Sequence, residues 1–146
     1  MNIGEICSRD LVSVSADTPL IEVAKTMRNE HVGIVVVTKA PADEPVAAGV
    51  ITDRDIVRAW LDLDVKLARL PAEKVMTPDP LVLSETESVE TAITRMRERG
   101  VRRAPVVTRS GQLIGLVSTD DLIAHLAGGL SGLARLLEQQ PRRERR

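Results

Sequence analysis

Two hydrophobic periods alternate along this chain, and the same succession of periods appears twice. Leu11-Val12-Ser13-Val14 alternates apolar and polar positions, the mark of a short strand, and Asp17-Thr18-Pro19 then offers a helix cap and a first-turn proline. Leu20, Val23, Ala24 and Met27 fall at i, i+3, i+4 and i+7, one stripe of an amphipathic helix. Ile34 to Val37 is too short and too β-branched for a helix and reads as a buried strand. Val46 to Ile51 supplies a further strand, after which a helix starts at Asp53 with Ile56, Val57 and Trp60 on its inner side. The second round repeats each step. Val89, Ala92, Ile93 and Met96 form the stripe, Pro105-Val106-Val107 and Leu113 to Val117 the strands, and a helix from Asp120 carries Leu122, Ile123 and Leu126 inside. Each copy reads as strand, helix, strand, strand, helix.

The copies align residue by residue. Asp10 and Asp79, Ser15 and Ser84, Met27 and Met96, Arg28 and Arg97, Val32 and Val101, and Val37 and Val106 all lie 69 positions apart. From Gly49 and Gly115 onward the offset is 66, so the first copy holds three extra residues, which the pattern places in the loop Thr38 to Pro45. Duplication at this length predicts a pseudo-twofold pair with paired clefts. The expected fold is α/β, in the α+β sense that each small sheet is covered by helices, with the remaining apolar helical faces packing one unit on the other. Residues 1–69 form the first unit with an N-terminal segment. Residues 70–127 form the second, entered through the proline-rich Leu70 to Pro80, read as an extended linker. Gly128-Gly129 is expected to break the last helix, leaving 128–146 as a short amphipathic helix with Leu130, Leu133, Leu136 and Leu137, followed by a basic tail.

Each copy closes on Gly-apolar-apolar-hydroxyl-x-x-Asp: Gly49-Val50-Ile51-Thr52-Asp53-Arg54-Asp55, then Gly115-Leu116-Val117-Ser118-Thr119-Asp120-Asp121. A hydroxyl followed three residues later by a carboxylate fits a helix capping box. The same spacing fits a binding role. A strand that feeds a helix leaves amide donors and a positive helix end at the mouth of a cleft, and a carboxylate there can accept from two vicinal hydroxyls such as those of a ribose. Both readings stand on the sequence. Charge separates the copies: Arg102 and Arg103 precede the Pro105 strand where the first copy has Gly33 and Ile34, whereas Arg54 lies in the first closing motif where the second has Asp120, which repels phosphate.

With Val75-Met76-Thr77-Pro78, the Pro105-Val106-Val107 strand and both closing motifs in order, the chain from about Ile6 to Leu126 resembles a tandem pair of CBS (cystathionine-beta-synthase) domains, a Bateman module. The first copy departs from the pattern at Ile6-Cys7-Ser8-Arg9. The resemblance implies two repeats of βαββα order and a regulatory, non-catalytic role, such as energy sensing. It implies that AMP, ADP, ATP or S-adenosylmethionine binds in two clefts between the repeats, Thr52 with Asp55 holding the ribose in one and Ser118 with Asp121 in the other. Arg54, Arg102, Arg103 and Pro105 complete the candidate ligand-binding set. The resemblance also implies a homodimer joined through helices, and a stand-alone module of this kind calls for an effector protein, here unknown. Two rivals remain: an interaction module with vacant clefts, and a nucleotide-hydrolysing enzyme. The enzyme lacks a nucleophile-base pair and paired metal ligands near the motif.

Composition narrows the classes further. There is no Phe or Tyr and Trp60 is the lone aromatic, so branched aliphatics must build the core. A net charge of −1 gives no global pull toward nucleic acid or anionic lipid. The tail Pro141-Arg142-Arg143-Glu144-Arg145-Arg146 is basic but has no aromatics interleaved for base stacking. Cys7 is the single cysteine, which excludes an internal disulfide and suits a reducing compartment. No apolar run reaches the roughly 18 residues of a membrane span, and the expectation is a cytoplasmic protein. His31 and His125 stand outside any ligand cluster, so no metal or required cofactor is expected.

Overall fold

The computed structural model describes residues 1–39, 46–62 and 68–144, with the side chains of the last helix described as far as Gln139. In chain order the elements are α1 (Ile3–Ile6), β1 (Ser13–Ser15), α2 (Leu20–Glu30), β2 (Ile34–Lys39), β3 (Val46–Thr52), α3 (Asp53–Asp62), β4 (Thr77–Pro78), β5 (Leu83–Ser84), α4 (Val89–Arg99), β6 (Arg103–Val107), β7 (Leu113–Ser118) and α5 (Thr119–Glu144). The strand-helix-strand-strand-helix order is present in both copies. The loop expected to hold the three extra residues falls mostly outside the described residues.

One sheet has the order β1-β2-β3-β4 and the other β5-β6-β7. In each, a short first strand runs parallel to the next, because the intervening helix carries the chain back across the sheet, and a hairpin then gives the antiparallel third strand. Inward residues are aliphatic throughout. Leu20, Val23, Val35, Val37 and Ile51 build the first core, and Leu83, Ala92, Val106 and Val117 the second. The helix stripes read from the sequence supply the cover, Leu20, Val23 and Met27 from α2, Val89, Ala92 and Met96 from α4. Pro19 takes the cap position of α2 with no side-chain bond of its own, one residue earlier than the first-turn placement expected for it. Both helices end in a left-handed residue, His31 at φ 55° and Gly100 at φ 64°, 69 positions apart. His31 therefore serves as a backbone stop, a position where glycine is easier.

Crossing of the two entering segments joins the halves. The segment before the second copy is more than an extended linker: Ala72–Lys74 forms a turn of 3-10 helix and β4 adds to the first sheet through Gly49↔Pro78 and Val50↔Thr77. Ala72, fully buried, with Val75 and Met76, belongs to the first core. The N-terminal segment does the same for the second half. Ile3 is fully buried among Leu83, Val89 and Val106, and Ser8 bridges Leu116. The symmetry extends to single bonds. Ala72 N–H donates to Thr18 O at 2.8 Å and Glu73 N–H to Ala16 O at 3.0 Å, matching Ile3 N–H to Glu87 O and Gly4 N–H to Glu85 O, both 2.9 Å. The cores do not divide near residue 70, since each takes the other unit's entering segment. Ile3→Ala should cost about 3 kcal/mol, as for other large-to-small core changes, although Ile3 lies outside the second repeat in sequence. A urea titration checks this.

Two expectations are corrected. Gly128-Gly129 does not break the last helix: α5 runs unbroken from Thr119 to Glu144, and every described residue from Leu126 to Gln139 is exposed. The apolar residues assigned to the inner sides of α3 and α5 are only partly inside. Leu122 is buried and Ile56 packs on the first core, but Val57 and Ile123 are each 58 % exposed, and Trp60 and Leu126 nearly half. The stripe pattern marks an apolar face, and the described residues do not cover all of it.

Candidate functional site

At the end of β3 the chain turns directly into α3, and at the end of β7 into α5, so the first amides of each helix need partners. The closing motifs supply part of them, while Asp53 N–H goes to Gly33 O and Thr119 N–H to Arg102 O. Asp55 N–H donates to Thr52 Oγ1 at 3.2 Å and Thr52 N–H to Asp55 Oδ2 at 2.9 Å, with Ser118 and Asp121 repeating the pair at 3.1 and 2.9 Å. These are reciprocal capping boxes with Asp in place of the usual Glu. They consume only part of each side chain. Thr52 Oγ1 and Ser118 Oγ accept here and keep a proton to donate, and among the described residues Oδ1 of Asp55 and of Asp121 accepts nothing.

The glycine that opens each motif marks the crossing of an entering segment. A Cβ on Gly115 would stand 2.5 Å from Ser8 O and 3.0 Å from Cys7 Sγ, and one on Gly49 would collide with Met76 and lie 2.8 Å from Thr77 O. Cys7 is tucked against this crossing, and burial pushes its thiol pKa up, which disfavours the nucleophilic thiolate.

Between the repeats lies a pocket of about 430 Å³. Ile34, Val50 and Thr52 come from the first unit, and Val101, Arg102, Arg103, Ser118, Thr119 and Asp120 from the second. Thr52 and Ser118, expected in separate clefts, line this one pocket together. Ile34, Val50 and Val101 give it an aliphatic wall, three hydroxyl residues a polar edge, and two arginines a positive rim. Both arginines are exposed and neither is ion-paired among the described residues. The root of Arg102 is fixed, because its carbonyl accepts from Thr119 N–H at 2.8 Å and Thr119 Oγ1 at 3.1 Å.

The first unit presents the opposite charge at the equivalent place. Asp53 occupies the position of Thr119, and its Oδ2 lies 3.4 Å from where a Cβ on Gly33 would be, the position of Arg102. Among the lining residues, Arg102 and Arg103 draw an anion to the second unit's side, with Asp120 limiting how far it can slide along α5.

Of the residues singled out from the sequence, Thr52, Arg102, Arg103 and Ser118 line the pocket. Asp55 and Asp121 sit behind Thr52 and Ser118 in the capping boxes and are not among the lining residues. Arg54 is exposed on α3 and is not among the lining residues, and Pro105 is buried in β6 opposite Leu116. Ile34, Val50, Val101 and Thr119 were not singled out. Ile34 could have been found, since the repeat alignment places it opposite Arg103. Among the described residues no three His, Cys, Asp or Glu side chains gather as metal ligands, and no helix is long and apolar enough to cross a membrane.

Comparison with known proteins agrees with this architecture. The CBS domain family matches residues 3–62 and 72–128. An uncharacterized protein of Methanopyrus kandleri is 31% identical over 123 residues, 84% of this chain and 61% of that protein, so this chain spans only part of that relative's length. The solved structure of a CBS domain protein from Pyrobaculum aerophilum complexed with AMP is 29% identical, with a TM-score of 0.72 over 88% of this chain and 99% of that one. A CBS domain pair in complex with 5'-methylthioadenosine and S-adenosyl-L-methionine shares the fold at a TM-score of 0.72 and 22% identity, over 88% of this chain and 97% of that one. Two repeats, each completed by the other's entering segment around a shared pocket, and a match across both of them show that this chain belongs to the CBS domain family.

Proposed function

We propose that the chain is a regulatory module that binds an adenosine-containing ligand, AMP, ADP, ATP or S-adenosylmethionine, between its repeats and passes a conformational bias to an effector protein. The observation that carries this reading is the inter-repeat pocket, which brings together three hydroxyl residues, an aliphatic wall and two arginines that form no ion pair among the described residues. Its volume lies within the roughly 300–1,000 Å³ of small-molecule sites. The purine lies against Ile34, Val50 and Val101, the ribose meets Thr52 or Ser118 with the free Asp oxygen behind it, and phosphates or a carboxylate reach Arg102 and Arg103. AMP in the Pyrobaculum relative and S-adenosylmethionine in the second pair support this ligand class. No catalytic step is part of the reading. Signalling requires that the ligand bind two arrangements of the repeats unequally. The reading includes a homodimer, supported by the exposed apolar residues of α3 and α5, and a cytoplasmic location.

Completion of both capping boxes favours one rival, an interaction module with vacant clefts in which the motifs only terminate strands and start helices. Thermal melting separates the two. A ligand at 100 times its Kd adds about 2.7 kcal/mol, several degrees for a domain of this size. Asp55→Asn and Asp121→Asn sharpen the test, because the amide oxygen still caps while an NH2 replaces the free acceptor. Each variant is expected to lose no more than about 1 kcal/mol of fold stability. At least one of them is expected to lose most of the ligand-induced shift. Unmoved melting curves with all four ligands would favour the vacant module.

A further inference from the structure

The pocket between the repeats carries both signs of charge at one end. Arg102 and Arg103 stand where the chain enters β6, and Asp120 stands in the first turn of α5. All three are exposed, and none of them is ion-paired among the described residues. Thr119 ties the two signs together: its N–H and Oγ1 both donate to the Arg102 carbonyl, at 2.8 and 3.1 Å, which holds the start of α5 beside the arginines. Asp120 follows directly. Among the described residues that line the pocket it is the only acidic one. The capping box does not use it, because those bonds run between Ser118 and Asp121. Nor does the motif require an acid there, since the counterpart 66 positions earlier is Arg54.

We infer that Asp120 is the specificity-determining residue of this pocket, selecting adenosine ligands whose 5′ end is a single phosphate or carries both charges, and selecting against a polyphosphate chain. The inference rests on the proposed binding of adenosine-containing ligands between the repeats. A phosphate monoester carries about two negative charges near neutral pH, and the guanidinium groups of Arg102 and Arg103 match them. Each further phosphate adds negative charge for which the lining residues hold no third cation. The Asp120 carboxylate repels that charge at distances too short for salt to screen it. An amino acid end behaves differently. The carboxylate of S-adenosylmethionine is complementary to Arg102 and Arg103, and its ammonium to Asp120. Polyphosphate and amino acid ends therefore respond to Asp120 with opposite sign, which a merely structural role for this side chain does not produce.

Isothermal titration of the full chain, Asp120→Asn and Asp120→Arg with AMP, ATP and S-adenosylmethionine tests it, with divalent cations chelated so that no metal bridges carboxylate and phosphate. The unmodified chain should bind AMP about tenfold more tightly than ATP, or better. Asp120→Asn should narrow that gap by about fivefold, and Asp120→Arg, which sets the first repeat's side chain at this place, should close or reverse it. Both variants should weaken S-adenosylmethionine by about fivefold or more. Their melting curves without ligand should stay within a few degrees of the unmodified chain, because Asp120 makes no capping bond. ATP binding as tightly as AMP to the unmodified chain would overturn the inference while the proposed function stands. Shifts of the same sign for ATP and S-adenosylmethionine, or no shift in either variant, would also overturn it alone. No binding of any of the three ligands would overturn the proposed function and the inference together.

Discussion

Gly115→Val is expected to destabilise the chain by about 3 kcal/mol, the upper end of typical overpacking effects and a large share of an ordinary domain's stability. The smallest side chain would already bring a Cβ to 2.5 Å from Ser8 O. Ser8 has no room to retreat, because it exchanges two backbone bonds with Leu116, both 2.9 Å, and the preceding α1 is locked by the fully buried Ile3. Relief requires breaking the crossing that completes the second sheet. Gly49→Ala should cost less, since part of its collision is with the movable Met76 side chain, and Gly128→Ala, with open space around it, gives a third point for scale. Urea titrations of the three variants give the order. A Gly115→Val chain with the unmodified midpoint would show that the N-terminal segment does not cross where the structure places it.

The second large effect concerns affinity. In Arg102→Ala/Arg103→Ala the aliphatic wall and hydroxyls of the pocket remain while its positive rim is gone. A hydrogen bond between charged groups contributes about 1.5–3 kcal/mol, so loss of both arginines should weaken AMP binding by about a hundredfold or more. Adenosine, which has no phosphate, should bind both proteins within a few-fold of each other. That contrast separates loss of phosphate contacts from collapse of the pocket. Raised salt should weaken AMP binding to the unmodified chain and affect adenosine little. Equal loss for AMP and adenosine would mean that the arginines hold the pocket's shape and do not meet phosphate.

The helices and strands were legible because one face of each meets an aliphatic core, and burial enforces a period that the residues record. Leu20, Val23 and Met27 illustrate it, and their second set, Val89, Ala92 and Met96, confirms the duplication. The crossing of entering segments was not legible. Ile3 and Ala72 lie outside any periodic run, and only the two glycines of the closing motifs hint that another backbone passes within contact distance. Val57, Trp60, Ile123 and Leu126 misled for a different reason: an apolar stripe states that a face avoids water without stating which molecule covers it. Gly128-Gly129 read as a stop because glycine is a poor helix former, yet nothing at those positions forbids helical geometry. Of the residues that line the pocket, Thr52 and Ser118 stand out in the sequence by their spacing, and Arg102 and Arg103 by the charge difference between copies. That both halves face one pocket depends on how the repeats pack, which no residue spacing encodes.

Isothermal titration of the unmodified chain with AMP puts the central claim to its most direct test. The account predicts saturable heat, displaced by ATP or S-adenosylmethionine competing for the same pocket. Titration of AMP to millimolar concentration with no heat beyond dilution, and none with the other two ligands, would contradict it.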